Sequence, residues 1–169
     1  ELDSAAIATT MVAKMSERRN NRLIDGNLSE YPWFLIKNPG LNSGLMIPQY
    51  TQAGLLNDMK TLSHPATIDN IPTCGNQEDY VAMGYNSVKK ANDLVEKLEY
   101  ILAIELLSIY QAHQFLEEDL TPASVSQRIL SKLSETIPVM KEDIYLYPHI
   151  EKIKDLIHKG SILKLAEND

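Results

Sequence analysis

The residues best equipped for chemistry in this chain are the consecutive Asn76, Gln77, Glu78 and Asp79. Two amides can orient a polar group, and two carboxylates can accept protons or bind cations. They close a segment, 40–84, that mixes small, amide and acidic residues, and they stand where a long helical pattern begins. Two readings of the cluster are open. Asp79 is a good helix N-cap, so the acidic pair can be helix-start chemistry and nothing more. Alternatively, the partial positive charge of a helix N-terminus favours a carboxylate at Glu78, which can then bind an ammonium or imidazolium group. Other reactive types are isolated. His64, His113, His149 and His158 have no second His or Cys at ligand spacing, so no metal site is expected. Cys74 has no catalytic histidine near it in sequence and reads as a small packing residue. Neither a phosphate-cradling glycine loop nor a Gly-x-Ser-x-Gly elbow is present.

The elements that must position this cluster are helical. Over 4–23, Ala5, Ala8, Val12, Met15 and Arg19 recur at three- and four-residue spacing, which predicts a helix. Asp25-Gly26-Asn27 breaks it, and the apolar stretch Tyr31-Pro32-Trp33-Phe34-Leu35-Ile36 follows as a loop that must be buried against something. Ser43 can cap a helix over 45–59, with Pro48 tolerated in its first turn. Residues 60–78 contain Pro65, Pro72 and Gly75 without a sustained period, and irregular connections of that length are uncommon unless functional.

From Asp79 to Leu116 the positions Tyr85, Val88, Ala91, Val95, Leu98, Leu102, Glu105, Ile109 and Ala112 follow one another by threes and fours. They predict a helix of roughly 35 residues, about 50 Å long. A chain of 169 residues cannot cover such a helix along its whole length, so partner helices from other subunits are expected. A free-standing coiled coil is the competing reading, and the pattern is not strict enough to favour it. Thr121-Pro122 predicts the start of a helix ending near Pro138, and a last helix follows Pro148, with Ile150, Ile153, Leu156 and Ile157 on one stripe and Gly160 as its stop. No strand is convincing, so the expected class is all-α, one helical domain over 1–169.

Composition narrows the function classes. With 16 Lys and Arg against 23 Asp and Glu, the net charge is -7, and only Arg18, Arg19 and Arg22 cluster. A nucleic-acid footprint is therefore not expected. One cysteine forms no internal disulfide, and the apolar runs are shorter than the roughly 20 residues of a membrane span. A cytoplasmic setting fits best, without a signal peptide. The chain opens with Glu1 inside a helical pattern, which favours excision from a longer polypeptide.

The stretches Ser16-Glu17-Arg18-Arg19, Pro32-Trp33-Phe34-Leu35, Gly40-Leu41-Asn42-Ser43-Gly44, Leu62-Ser63-His64-Pro65, Asp69-Asn70-Ile71-Pro72-Thr73 and Asn76-Gln77-Glu78-Asp79 occur in this order. Together they resemble the C-terminal part of the aromatic amino acid ammonia-lyases, most closely the histidine enzymes, over about two-thirds of the chain. The resemblance implies a long-helix bundle of the ammonia-lyase and aspartase-like type, with helices of four subunits at its centre and the long helix over about 79–116 among them. It implies elimination of ammonia from an amino acid by an electrophilic methylidene-imidazolone, made autocatalytically from an Ala-Ser-Gly tripeptide. No Ala-Ser-Gly occurs here, and the family's tyrosine base also lies upstream of these residues. The chain then resembles a C-terminal fragment, inactive alone, that supplies one wall of a composite site.

On that resemblance Glu78 matches an acidic residue near the substrate, Gln77 a polar orienter beside it, and Met46 a position lining the substrate side-chain pocket. Met46 is equally well read as a core methionine filling a gap. Tyr80 and Cys74-Gly75 depart from the usual histidine-enzyme pattern. Three expectations follow for the parent protein. It is a homotetrameric histidine ammonia-lyase making urocanate, or a lyase or 2,3-aminomutase on another aromatic amino acid, or a non-catalytic helical oligomerisation module.

Overall fold

The computed structural model describes residues 1–116 and 120–167 of the chain. Among these residues every regular element is helical, with only two isolated bridges, Pro39 to Asn42 and Thr73 to Glu78. The order is α1 (Leu2–Ile24), α2 (Gly26–Ser29), α3 (Met46–Leu62), α4 (Gly84–Ala112), α5 (Ser124–Ser134), α6 (Tyr147–His158) and α7 (Ser161–Glu167). Helix α4 packs against α1, α3 and α6. Asp3 meets Ser87 and Ser16 meets Glu105, so α1 and α4 run side by side in the same direction. Thr10 meets Ser63 while Asn20 meets Gln52, so α3 runs opposite to both.

The α1 register differs from the sequence expectation. Ala5, Ala8, Val12, Met15 and Arg19 all face outward, while the inward stripe is Asp3, Ala6, Thr10, Ala13, Ser16, Glu17 and Asn20. Small and polar residues win this face because they let three helices approach closely and then bond across the gap. Asn20 donates to Gln52 at 2.5 Å and Gln52 donates to the Ile101 carbonyl at 2.7 Å, a relay between fully buried amides that leaves only the Asn20 Oδ1 without a partner among the described residues. Glu105, 7 % exposed, accepts from Ser16 at 2.5 Å and from the Arg19 guanidinium at 2.5 and 2.9 Å. Glu17 is equally enclosed. Burial opposes its ionisation, but Arg18 and Gln49 donate to it and hold its carboxyl below the usual range.

Helix α4 begins at Gly84, not Asp79, and its N-cap is Met83. It spans 29 residues, about 44 Å, and then tightens into a 3-10 turn at His113–Phe115. Its buried heptad is Ser87, Leu94, Ile101 and Ser108; the neighbouring Val88, Val95 and Ile109 stay exposed. The pattern thus carries two adjacent stripes, and the chain covers only one. Tyr100 donates to Glu151 of α6, under an ammonium from Lys154 that lies 4.4 Å from the ring centroid. That hydrogen bond, followed by burial, pushes the phenol up from its ordinary value.

Three smaller expectations are also corrected. Ser43 does not cap α3, because the helix begins at Met46 with Leu45 as its N-cap, two residues beyond Ser43. Helix α5 begins at Ser124 beyond Thr121-Pro122 and ends at Ser134, before Pro138. Gly160, at φ +67°, does stop α6, but α7 follows it directly, so α6 is not the last helix. The apolar loop is buried in part: Leu35 and Ile36 are fully enclosed, in the larger core cluster with Leu45, Ile104, Leu107, Leu133 and Ile153, whereas Trp33 is exposed.

Candidate functional site

Met46 is the first residue of α3, and a turn formed by 38–45 delivers it. Leu45 donates its backbone N–H to the Phe34 carbonyl at 3.0 Å, fastening the turn to the buried apolar loop. Gly44 stands at φ +54°, and a Cβ there would lie 2.5 Å from the Phe34 oxygen and 2.8 Å from Ile36. Only glycine fits this close approach. The Asp143 carboxylate accepts the N–H groups of Ser43 and Gly44, each at 2.8 Å, and the Asp143 N–H returns to Asn42 at 3.3 Å. Met46 itself is half-buried.

Gln77 and Glu78 lie on a different piece of backbone. Residues 71–80 are all exposed. Thr73 and Glu78 exchange backbone hydrogen bonds at 3.1 and 3.3 Å, closing a tight turn in which Cys74, Gly75 and Asn76 all have positive φ. Asp79 is not a cap. Its carboxylate accepts from the Asn70 amide at 2.6 Å, and the Asn70 oxygen accepts from Val81 N–H at 2.7 Å. Because α4 starts six residues beyond Glu78, the helix-start reading of that carboxylate does not apply here. Among the described residues the Gln77 and Glu78 side chains have no hydrogen-bond or ion-pair partner.

The structure therefore brings Gln77 and Glu78 together on one turn and leaves Met46 on another. A cavity of about 580 Å³ opens beside α3, α4 and the 140–147 segment, lined by Gly44, Ile47, Tyr100, Asp143 and Tyr145 among others, and none of the three candidates lines it. Among the described residues there is no group of three His, Cys, Asp or Glu side chains placed to hold a metal. No described helix is long and apolar enough to cross a membrane. Sequence reasoning missed Asp3, Asp143 and Lys90, which anchor the two segments. Nothing local to them marks that role, since their partners stand from 26 to about 100 residues away.

Residues 1–135 match the family model described as aromatic amino acid lyase. The chain belongs to that family. Within the aromatic amino acid lyases it is similar to a probable histidine ammonia-lyase of Thermoplasma volcanium, with 46 % identity over 164 residues, 97 % of this chain and 33 % of the relative. The crystal structure of histidine ammonia-lyase from Trypanosoma cruzi superposes with a TM-score of 0.93 at 38 % identity, over 98 % of this chain and 32 % of that one. A tyrosine aminomutase from Streptomyces globisporus superposes with a TM-score of 0.92 at 28 % identity, over 97 % and 31 % respectively. The chain thus spans about a third of the length of the lyase relatives it matches. The helical fold is the one these neighbours share.

Proposed function

We propose that this chain is the C-terminal part of a histidine ammonia-lyase-like enzyme and forms one wall of a composite active site. The reaction breaks the bond between the α-carbon and nitrogen of L-histidine and removes a β-proton, leaving the double bond of urocanate and releasing ammonia. The observation that carries the reading is the state of Glu78. It stands on a turn closed by its own backbone, in an exposed segment, with no side-chain partner among the described residues, while its neighbour Asp79 is satisfied by Asn70. A carboxylate presented in this way is available to a cationic or proton-donating group brought by another part of the protein. Gln77 beside it orients that group, and Met46 lines the side-chain pocket once the remaining polypeptide is in place.

The family's chemistry would use a methylidene-imidazolone electrophile formed from Ala-Ser-Gly, and this chain contains no such tripeptide. The group would come from residues outside these 169. The exposed stripes of α1 (Ile7, Met11, Val12, Met15) and α4 (Val88, Val95, Ile109) support an assembly in which other helices cover them, proposed as the homotetramer of a cytoplasmic enzyme.

The full-length protein should produce urocanate absorbance from L-histidine, and Glu78→Gln should lower kcat/KM at least about tenfold, the scale of one lost charge-assisted contact. No product across a histidine titration would end the histidine reading, and an unchanged kcat/KM would remove Glu78 from the site. A second reading has its own support. Tyr80 and Cys74-Gly75 flank the carboxylate and depart from the histidine pattern, and a tyrosine aminomutase shares the fold. Ammonia loss or 2,3-amino shift on another aromatic amino acid is then the reaction, and profiling the full-length protein with phenylalanine and tyrosine decides it.

A further inference from the structure

Among the described residues, every hydrogen bond made by 68–82 stays inside that segment: Asn70 with Asp69, Asp79 and Val81, Thr73 with Glu78, Cys74 with Gln77. The loop is thus a self-bonded unit attached to the helices only where it leaves α3 and where it enters α4. One side chain reaches both attachments. Asp3, 8 % exposed in the first turn of α1, accepts the N–H groups of Ala66 and Thr67 at 3.0 Å each and the Thr67 hydroxyl at 2.8 Å. From the other side it accepts the Ser87 hydroxyl at 2.9 Å and pairs with the Lys90 ammonium at 3.0 Å. Lys90 in turn donates to the His64 carbonyl, closing the circuit between the two ends of the loop.

We propose that Asp3 is a positioning residue for the candidate site: by clamping 66–67 to the first turns of α4, it sets where Gln77 and Glu78 stand. The inference rests on the role given to Glu78 above. A buried carboxylate needs enough donors to replace its lost water, and here the donors are drawn from both ends of one loop. Their sum outweighs burial and holds the carboxyl well below its usual range, so the clamp is charged and closed at neutral pH. A staple between α1 and α4 alone would need only Ser87 and Lys90. The three bonds to Ala66 and Thr67 are what tie the loop's departure to its return.

The test uses the full-length protein with L-histidine as substrate and hydrogen exchange, read by mass spectrometry, over peptides covering 60–90. Asp3→Asn should lower kcat/KM about tenfold and raise deuterium uptake throughout 68–83. Combined with Glu78→Gln it should be no worse than the poorer single variant, because a misplaced site has nothing further to lose at Glu78. Lys90→Met, which keeps the Asp3 carboxylate, should raise uptake in the same peptides by a smaller amount and gives the readout if Asp3→Asn does not fold. Losses that multiply in the double variant, or uptake that rises in α1 and at 66–67 alone, would overturn the proposal. So would a Lys90→Met protein with wild-type uptake over 68–83. A wild-type protein that makes no urocanate ends the histidine reading instead, and the uptake measurement still decides whether the clamp sets the loop.

Discussion

The turn that carries Met46 and the loop that carries Gln77 and Glu78 are anchored by the same device, a carboxylate that gathers successive backbone N–H groups: Asp143 for Ser43 and Gly44, Asp3 for Ala66 and Thr67. What differs is everything behind the anchor. The turn is backed by fully enclosed Leu35, Ile36 and Leu45, and buried Gln111 adds three bonds, donating to the Leu35 and Met140 carbonyls and accepting from Met140 N–H. The loop has no apolar backing, and its tip at 71–80 is exposed throughout. One segment is a fixed wall. The other is an arm, placed by its tether and by whatever it meets.

The largest test of that contrast is Gly44→Ala. The new Cβ would sit within 3 Å of the Phe34 oxygen and of Ile36, at φ +54°, and backbone atoms in a packed core cannot move away cheaply. Backbone strain and overpacking each contribute about 1–3 kcal/mol, so the combined loss should be about 3 kcal/mol or more. A urea or thermal unfolding series on the full-length protein would register it. A loss below about 1 kcal/mol would mean that the wall is no more rigid than the arm.

Much of this architecture was legible. Helices α1, α3, α4, α5 and α6 were expected near their true positions, because three- and four-residue spacing is a local property. The α1 face was not legible: most of its large apolar residues, Ile7, Met11, Val12 and Met15, point outward, and up to Asn20 its inward residues are small or polar. A fragment's strongest apolar stripe need not face its own core. On α4 the two stripes lie one residue apart, Ser87 and Leu94 beside Val88 and Val95, and the period alone does not say which is covered. The start of α4 was misplaced because Asp79 looks like a cap from its residue type. In three dimensions its carboxylate is taken by Asn70, nine residues earlier. The family emerged from the motifs, whereas the clamps that hold them depend on pairings such as Asp3 with Ser87, which no local pattern encodes.

Acid should separate the two segments next. The Asp3 carboxyl has a folded-state value well below its ordinary 3.8, so its stabilising contribution is complete above that ordinary value and is lost as pH falls through the lower one. Thr67 and Ser87 cannot compensate, since their hydroxyls are neutral throughout. The bonds of Gln111 involve no titrating group and persist. Pepsin digestion below about pH 4 should therefore nick 68–83 before it nicks 38–46, with the difference widening as the pH is lowered. Equal rates of cleavage would remove the distinction between tether and backing.

The smallest effect should come from the same substitution made in the arm. Gly75 also stands at positive φ, +62°, but nothing lies within 4 Å of the position its Cβ would take. Alanine there meets only the left-handed backbone penalty of about 1–2 kcal/mol, offset in part by about 0.4–1 kcal/mol from a less flexible unfolded chain. A net loss of about 1.5 kcal/mol or less is expected, confined to the turn. Its neighbours Cys74 and Asn76 already hold φ of +51° and +69° with side chains in place, so this backbone tolerates substituents. Because the turn carries Gln77 and Glu78, the change should register in kcat/KM more than in the unfolding midpoint, the reverse of Gly44→Ala. If Gly75→Ala unfolds the protein as readily as Gly44→Ala, the arm is packed against something in the whole protein as firmly as the wall is packed here.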